Sequence, residues 1–295
     1  MEMTMHTVLR GSSREVTIGV DKPFVMIGEK INPTGNKKLA AALQAGDLDV
    51  VVALAQKQVA WGADVLDINV GVPGLDEISV ISTVVRLLSQ SVDVAFCIDS
   101  GKTEILAAGL GAAPGKPLVN SVNAEKKQLE TILPIVRDRG AAVIGLTIGD
   151  AGIPKTPEER VAAADTIIRR ASQTGIPIED ILIDPLVMTV GSDSRAALVT
   201  LQTIELLRKE FGVNINLGAS NVSFGLPDRE TFNQAFLSMA MQAGATCAIT
   251  DPVKLGSAIR AGDVLLGRDD YAMRFLKYYR QAEALRSQET ATAPQ

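Results

Sequence analysis

The stretch WGADVLDINVG (61–71) carries the pattern that repeats along the whole chain. Gly62 closes a helical segment and suits a C-cap, where the left-handed backbone favours a residue without a side chain. The apolar run that follows finishes on polar groups, Asp67 and Asn69. The same order of apolar run, polar ending and helical stretch occurs at VMIGEKIN (25–32), VLDINVG (65–71), VAFCIDS (94–100), LVNSVN (118–123), AVIGLTI (142–148), ILIDPLV (181–187), INLGASN (215–221) and TCAITDP (246–252). Runs that are apolar on both faces belong to parallel strands buried between an interior and a coat of helices. Eight such strands alternating with helices predict a single-domain (β/α)8 TIM barrel. Glu29, Asn32, Asp67, Asn69, Asp99, Asn120, Asn123, Thr147, Asp184, Asn221 and Asp251 then gather at one rim, the end where such barrels do their chemistry.

The flanking sequence fits that frame. Residues 1–23 form an N-terminal extension in which REVTIGV (14–20) alternates, as one strand of a short hairpin plugging the barrel bottom, and Pro23 punctuates the entry into the first barrel strand. The barrel is expected over 24–282, with a flexible tail at 283–295 ending in SQETATAPQ. Residues 39–62 have helical spacing broken near Gly46–Asp47, which predicts two helices, and Gly140, Gly175, Gly212 and Gly244 stand where helices stop before strands. Thr156-Pro157-Glu158-Glu159 supplies an N-cap, a proline at the first helical position and an acidic first turn. DDYAMRFLKYYRQAEALRS (269–287) is a long amphipathic helix that covers the barrel or joins a partner subunit.

Composition removes several functions. The 295 residues are 46% hydrophobic, enough for a large core, but only 4% aromatic, so aliphatic side chains must fill the barrel. A net charge of −5 argues against a nucleic-acid binder, and Lys37–Lys38 and Lys126–Lys127 read as solvated helix faces. The start MEMTMHTVLRGSS lacks the apolar segment of a signal peptide, and no apolar stretch approaches the roughly 20 residues of a membrane span. A cytoplasmic protein without membrane association is expected. Cys97 and Cys247 lie inside strand runs at a spacing that matches no zinc or redox motif, so they read as core. His6, the only histidine, precedes the barrel, which excludes His-based metal sites and Ser–His or Cys–His triads. Trp61 reads as packing.

The rim groups define a ligand chemistry. Asp99, Asn120 and Asp184 end strands three, four and six and would face one another across the mouth. A carboxylate accepts two parallel hydrogen bonds, and an amide both donates and accepts. Such a set suits the edge of a flat 2-amino-4-oxopyrimidine ring. It repels phosphate, and its apolar neighbours make it a poor octahedral Mg²⁺ site. Each group taken alone also fits a helix cap, the role expected of Ser100 and Thr147.

GEKIN (28–32), LDINVG (66–71), CIDS (97–100), NSVNAE (120–125), GLTI (145–148), IDPL (183–186) and LGASNVSFGLPDR (217–229) resemble, in order and spacing, the pterin-binding methyltransferases, and more narrowly the methyltetrahydrofolate:corrinoid protein methyltransferases. The resemblance implies that Asp99, Asn120 and Asp184 grip the pterin ring and that Asn221 is the catalytic contact to N5. Asp67, Asn69, Gly218 and Ser220 would lie beside the ring, with Arg229 and Asn233 near the mouth. Glu29 and Asn32 match the first signature, with a structural role on the barrel floor and substrate contact both open; Asp251 either joins the rim or anchors a loop. The resemblance further implies tetrahydrofolate or 5-methyltetrahydrofolate as substrate, cobalamin carried by a partner corrinoid protein, no tightly bound metal, a homodimer, and a place in anaerobic one-carbon metabolism such as O-demethylation. The competing activities are dihydropteroate synthase-type condensation and non-catalytic tetrahydrofolate binding. Against condensation, Arg260 and Arg268 have no histidine near them in sequence, and NPTGNKKL (32–39) lacks the Asp-Ser-Phe expected after strand one.

Overall fold

The computed structural model describes residues 4–292. A hairpin of β1 (Thr7–Arg10) and β2 (Glu15–Ile18) opens the chain. The alternation then runs β3 (Val25–Ile31), α1 (Lys37–Ala45), α2 (Asp49–Ala60), β4 (Val65–Ile68), α3 (Glu77–Ser91), β5 (Ala95–Asp99), α4 (Thr103–Ala112) and β6 (Leu118–Asn123). It continues with α5 (Lys126–Arg139), β7 (Ala142–Leu146), α6 (Pro157–Thr174), β8 (Ile181–Asp184), α7 (Ala196–Phe211), β9 (Asn214–Ile215), α8 (Arg229–Ala243), β10 (Cys247–Thr250), α9 (Pro252–Leu265) and α10 (Met273–Thr292). Strands β3 to β9 pair in parallel in chain order, and β10 pairs with β3. The remaining seam is joined by Thr246 N to Ile215 O (3.0 Å), Ile249 N to Leu217 O (2.8 Å) and a parallel bridge between Gly218 and Ile249. The fold is the expected TIM barrel.

Helix ends follow local chemistry. Asp76 accepts from Ser79 N at the start of α3, and Thr156 with Glu159 forms a reciprocal capping box on α6. Gly46, Gly140, Gly175, Gly212 and Gly244 all cap helices in the left-handed conformation. The break at Gly46 separates α1 from α2 as the sequence predicts.

Side-chain alternation divides the core in two. Met26, Leu66, Ile68, Phe96, Ile98, Val119, Val143 and Ile183 pack outward against helical residues such as Ile81, Val84, Val85 and Leu88 of α3. Val25, Ile27, Val65, Ala95, Cys97, Leu118, Ala142, Ile144, Leu182 and Cys247 fill the barrel interior. Leu9 and Ile18 of the hairpin, both fully buried, join the interior set, so the hairpin plugs the bottom. Both cysteines are buried free thiols. His6 bonds Asp21 at 2.6 Å, outside the barrel.

Two details differ from the sequence expectation. The seventh run forms strand only at Asn214–Ile215, and Ala219–Ser223 is a 3-10 turn, so Ser220 and Asn221 ride on a turn beyond β9 rather than on the strand. The segment expected as tail from 283 continues α10 to Thr292, where helix-forming Glu, Ala, Leu, Arg and Gln follow the buried anchor of Tyr278 and Ala282 on Trp61. Residues 293–295 lie outside the described residues.

Candidate functional site

The interior alternation that stacks apolar side chains in the lower barrel turns polar at its upper end. Two residues beyond Ile27 comes Glu29, beyond Val65 Asp67, beyond Cys97 Asp99, beyond Leu118 Asn120 and beyond Leu182 Asp184. A strand repeats its direction every second residue, so these groups form the top layer of the interior. Asp99 and Asn120 are register partners on neighbouring strands.

Above this layer lies an open cavity of about 630 Å³ lined by Asp67, Asp99, Asn120, Gly218, Ser220, Asn221 and Arg229, with Glu29, Lys30, Asn32 and Asn36 on the β3 side. Asp67, Asp99 and Asn120 form its floor, and Asn69 reaches Asp99 from an adjoining pocket. Asn120 Nδ2 donates to Asp67 Oδ1 at 3.2 Å, and Asn69 Nδ2 donates to Asp99 Oδ2 at 2.9 Å. Asn69 is itself fixed by Gly71 N, which donates to its Oδ1 at 2.8 Å. Each pairing orients an amide while leaving carboxylate lone pairs for a ligand.

Burial governs the charge on this floor. It pushes the Asp67 carboxyl up to about 8, with the nearby Asp99 charge adding to the rise, while hydrogen bonds from Asn120 and Cys97 pull against it. Burial likewise raises Asp99, opposed by the bond from Asn69. Two buried acids this close resist ionising together, so the pair holds a proton to higher pH than free carboxylates do.

Asp184 is set apart. It is 6% exposed and is not among the side chains lining the cavity. Its Oδ1 accepts from Leu186 N and its Oδ2 from Asn216 Nδ2, each at 2.9 Å. Burial lifts it to about 6 against those bonds. Arg160 of α6, also buried, clamps the loop after β8 by donating to Pro185 O (2.7 Å) and Leu186 O (2.8 Å). Asn233 lines a smaller adjoining pocket with Glu29, Lys30, Ser220 and Arg229, and its Oδ1 accepts from Ser223 Oγ at 2.7 Å. Arg229 donates to Ser220 O (2.7 Å) and Ser223 Oγ (3.1 Å), which holds the turn carrying Asn221.

The groups left open in sequence find places. Glu29 and Asn32 line the mouth cavity rather than the barrel floor. Asp251 caps α9 through Val253 N and pairs with Lys30 at 3.0 Å, which also meets Glu29 at 3.0 Å. Asn216 was not singled out: it is a fully buried amide inside an apolar run, and the polar residue breaking that run was its only sequence signal. Cys97, assigned to packing, is also the register partner of Asp67 on the neighbouring strand, and its thiol opposes the rise of that carboxyl.

A parallel barrel whose mouth is floored by paired acids and amides defines the scaffold of a barrel enzyme with a polar, hydrogen-bonding site. The chain belongs to the pterin-binding enzyme family, whose profile it matches over residues 28–251. It is 31% identical over 268 residues to a methylcorrinoid:tetrahydrofolate methyltransferase of Eubacterium limosum, covering 88% of this chain and 97% of that protein. It is also 31% identical over 248 residues to the methionine synthase of Mycobacterium tuberculosis, covering 80% of this chain but only 21% of that larger protein. Among solved structures, the 7,8-dihydropteroate synthase of Vibrio fischeri superposes with a TM-score of 0.71 at 18% identity, covering 89% of this chain and 99% of that one. A dihydropteroate synthase of Yersinia pestis with a pterine-sulfa conjugate gives 0.68 at 19% identity, covering 89% and 100%. At these identities the likeness is one of fold.

Proposed function

We propose that this protein is a methyltransferase that moves the N5 methyl group between 5-methyltetrahydrofolate and the Co(I) of a corrinoid carried by a separate protein. The observation that carries the reading is that Asp67, Asp99 and Asn120 line one open cavity with Asn221, Asp67 paired to Asn120 and Asp99 oriented by Asn69 from the adjoining pocket. The full-length likeness to a methylcorrinoid:tetrahydrofolate methyltransferase supports the reaction.

In this reading Asp99 and Asn120 take the amino and ring N–H edge of the pterin, with Asp67 and Asn69 holding them in register. Asp184, held behind the cavity wall by Asn216 and Leu186 N, supports the deep end of the site. Gly218 and Ser220 leave space beside the ring, and Arg229 and Asn233 keep the turn in place. Transfer breaks the N5–CH3 bond and forms a carbon–cobalt bond with the electron pair of Co(I); the pair released from carbon stays on N5, which keeps as its N–H the proton it takes up from solvent. A tertiary amine leaves poorly unless N5 is protonated or strongly hydrogen-bonded. The Asn221 amide accepts from protonated N5 or donates to its lone pair, stabilising charge by position without ionising. The open mouth lets a second protein bring its cobalt in line. Physiologically the protein acts as a cytoplasmic homodimer in anaerobic one-carbon metabolism, including demethylation routes, with residues 1–23 as plug to a barrel at 24–282.

Condensation of the dihydropteroate synthase type is disfavoured by the positions of Arg260 and Arg268. Arg260 donates to Phe24 O (3.2 Å) and Gly62 O (3.3 Å) and faces Asp64, all at the end of the barrel opposite the mouth. Arg268 donates to Met241 O at 3.3 Å, near the C-terminal end of α8. Anaerobic mixing of the protein, 5-methyltetrahydrofolate and a Co(I) corrinoid protein is expected to convert the Co(I) spectrum to that of methyl-cobalt. An unchanged spectrum, with product from aminobenzoate and a pterin pyrophosphate, would replace this reading by the condensing one.

A further inference from the structure

Phe224 is 67% exposed, yet its backbone is held at both the N–H and the carbonyl. Its N–H donates to Asn221 O (3.1 Å), and its carbonyl accepts from Thr189 Oγ1 (2.7 Å) on the loop after β8. Val190 N donates to Val222 O (2.9 Å), tying the same two loops together. One face of the ring is backed by the Arg229 guanidinium at 5.8 Å. That guanidinium is pinned by Ser220 O and Ser223 Oγ, and Ser223 in turn by Asn233. A lone exposed phenylalanine on a mobile loop would need no explanation. This one is a cation-backed ring whose backbone N–H donates to the residue assigned to N5.

Ligand connectivity says what would meet it. In a folate, the p-aminobenzoyl ring hangs through a two-atom bridge from C6, the ring carbon next to N5. If Asn221 contacts N5, that aryl ring must leave the cavity close to Asn221, over the turn that carries Phe224. We propose that Phe224 stacks on the p-aminobenzoyl ring of the bound folate, with Arg229 as its backing, and so sets the preference for folates over pterins without a tail. This rests on the folate reading given above. Aromatic pairs prefer offset or edge-to-face contact, and a cation on one face of Phe224 leaves the other for the ligand.

The test is anaerobic calorimetry with two probes, tetrahydrofolate and tail-less 6-methyltetrahydropterin, on the full chain. The wild-type protein is expected to bind tetrahydrofolate more tightly. Phe224→Ala should weaken tetrahydrofolate binding by about two- to tenfold, the worth of one aromatic pair, and leave the pterin unchanged; Phe224→Tyr should restore it. Equal weakening of both probes would make Phe224 a structural support of the turn and overturn the proposal. Unchanged affinity for both, with weaker docking of a corrinoid protein, would assign the ring to the partner and overturn it equally. Wild-type protein binding neither probe would instead sink the folate reading itself, and this inference with it.

Discussion

In the proposed mechanism Asn221 is the residue at which binding and chemistry part. Its amide sits on a short turn at the cavity edge, close enough to Gly218 that an added Cβ there would lie 3.1 Å from its Nδ2. A contact that strengthens as charge develops on N5 contributes mainly to the transition state. Asn221→Ala is therefore expected to keep tetrahydrofolate affinity within about tenfold while kcat falls by roughly 10² to 10³, as when one preorganised hydrogen bond is removed. Equal losses in affinity and turnover would reassign it to binding. Asp67 carries a second prediction. Its folded pKa is raised from 3.8 to about 8, so the native state binds its proton more tightly than the unfolded chain. Stability from this group is full below about pH 4 and drains away as pH rises towards 8. Asp67→Asn should flatten the fall in melting temperature between pH 6 and pH 8; an unchanged slope would place the titration elsewhere. Asp67, Asp99 and Asn120 were legible in sequence because each interrupts or ends an apolar strand run at the rim. Asp184 was legible as a rim acid, but its enclosure was not, because that depends on an amide from the next strand.

At the scale of elements, β9 is the shortest strand of the barrel. β9 holds only Asn214 and Ile215, and the chain then turns at Gly218 into the 3-10 segment Ala219–Ser223. INLGASN (215–221) reads as a strand because its apolar content does not reveal where pairing stops. Pairing stops where Ile249 N takes Leu217 O and the bridge at Gly218 ends the seam. This early exit brings Ser220 and Asn221 over the cavity instead of along its wall. Asn216 lies in the corner between the two strands and supplies a donor to Asp184 Oδ2. Asn216→Ala leaves that buried oxygen without the donor, and a loss of about 1–3 kcal/mol in urea unfolding is expected, together with weaker tetrahydrofolate binding through a displaced Asp184. Unchanged stability and affinity would show that water replaces the amide at no cost. The glycine-capped helix ends were legible because their signals are local; the Asn216–Asp184 bond joins residues 32 apart in sequence and left no local trace.

The whole molecule is a barrel with unlike ends, a polar open mouth and an apolar closed base. The base depends on the hairpin. Only its second strand was visible in the sequence, by the alternation in REVTIGV; the first, TVLR (7–10), is too short to carry a period. It is placed by distant partners: Arg10 exchanges backbone hydrogen bonds with Lys116 at 3.0 and 3.1 Å, and Asn214 Nδ2 donates to Thr7 Oγ1 (3.0 Å) and Ile18 O (3.1 Å). Leu9 and Ile18 then cap the interior column that begins with Val25, Val65 and Ala95. A fully buried leucine truncated to alanine costs about 2–5 kcal/mol, a large part of the 5–15 kcal/mol that holds a typical native domain together. Leu9→Ala should therefore lower the urea midpoint markedly. Tetrahydrofolate affinity, measured well below that midpoint, should not change, because the hairpin and the ligand-facing groups occupy opposite ends of a closely packed barrel. A variant that loses folate affinity while keeping its unfolding midpoint would tie the hairpin to the mouth, and the division into a structural base and a chemical rim would have to be abandoned.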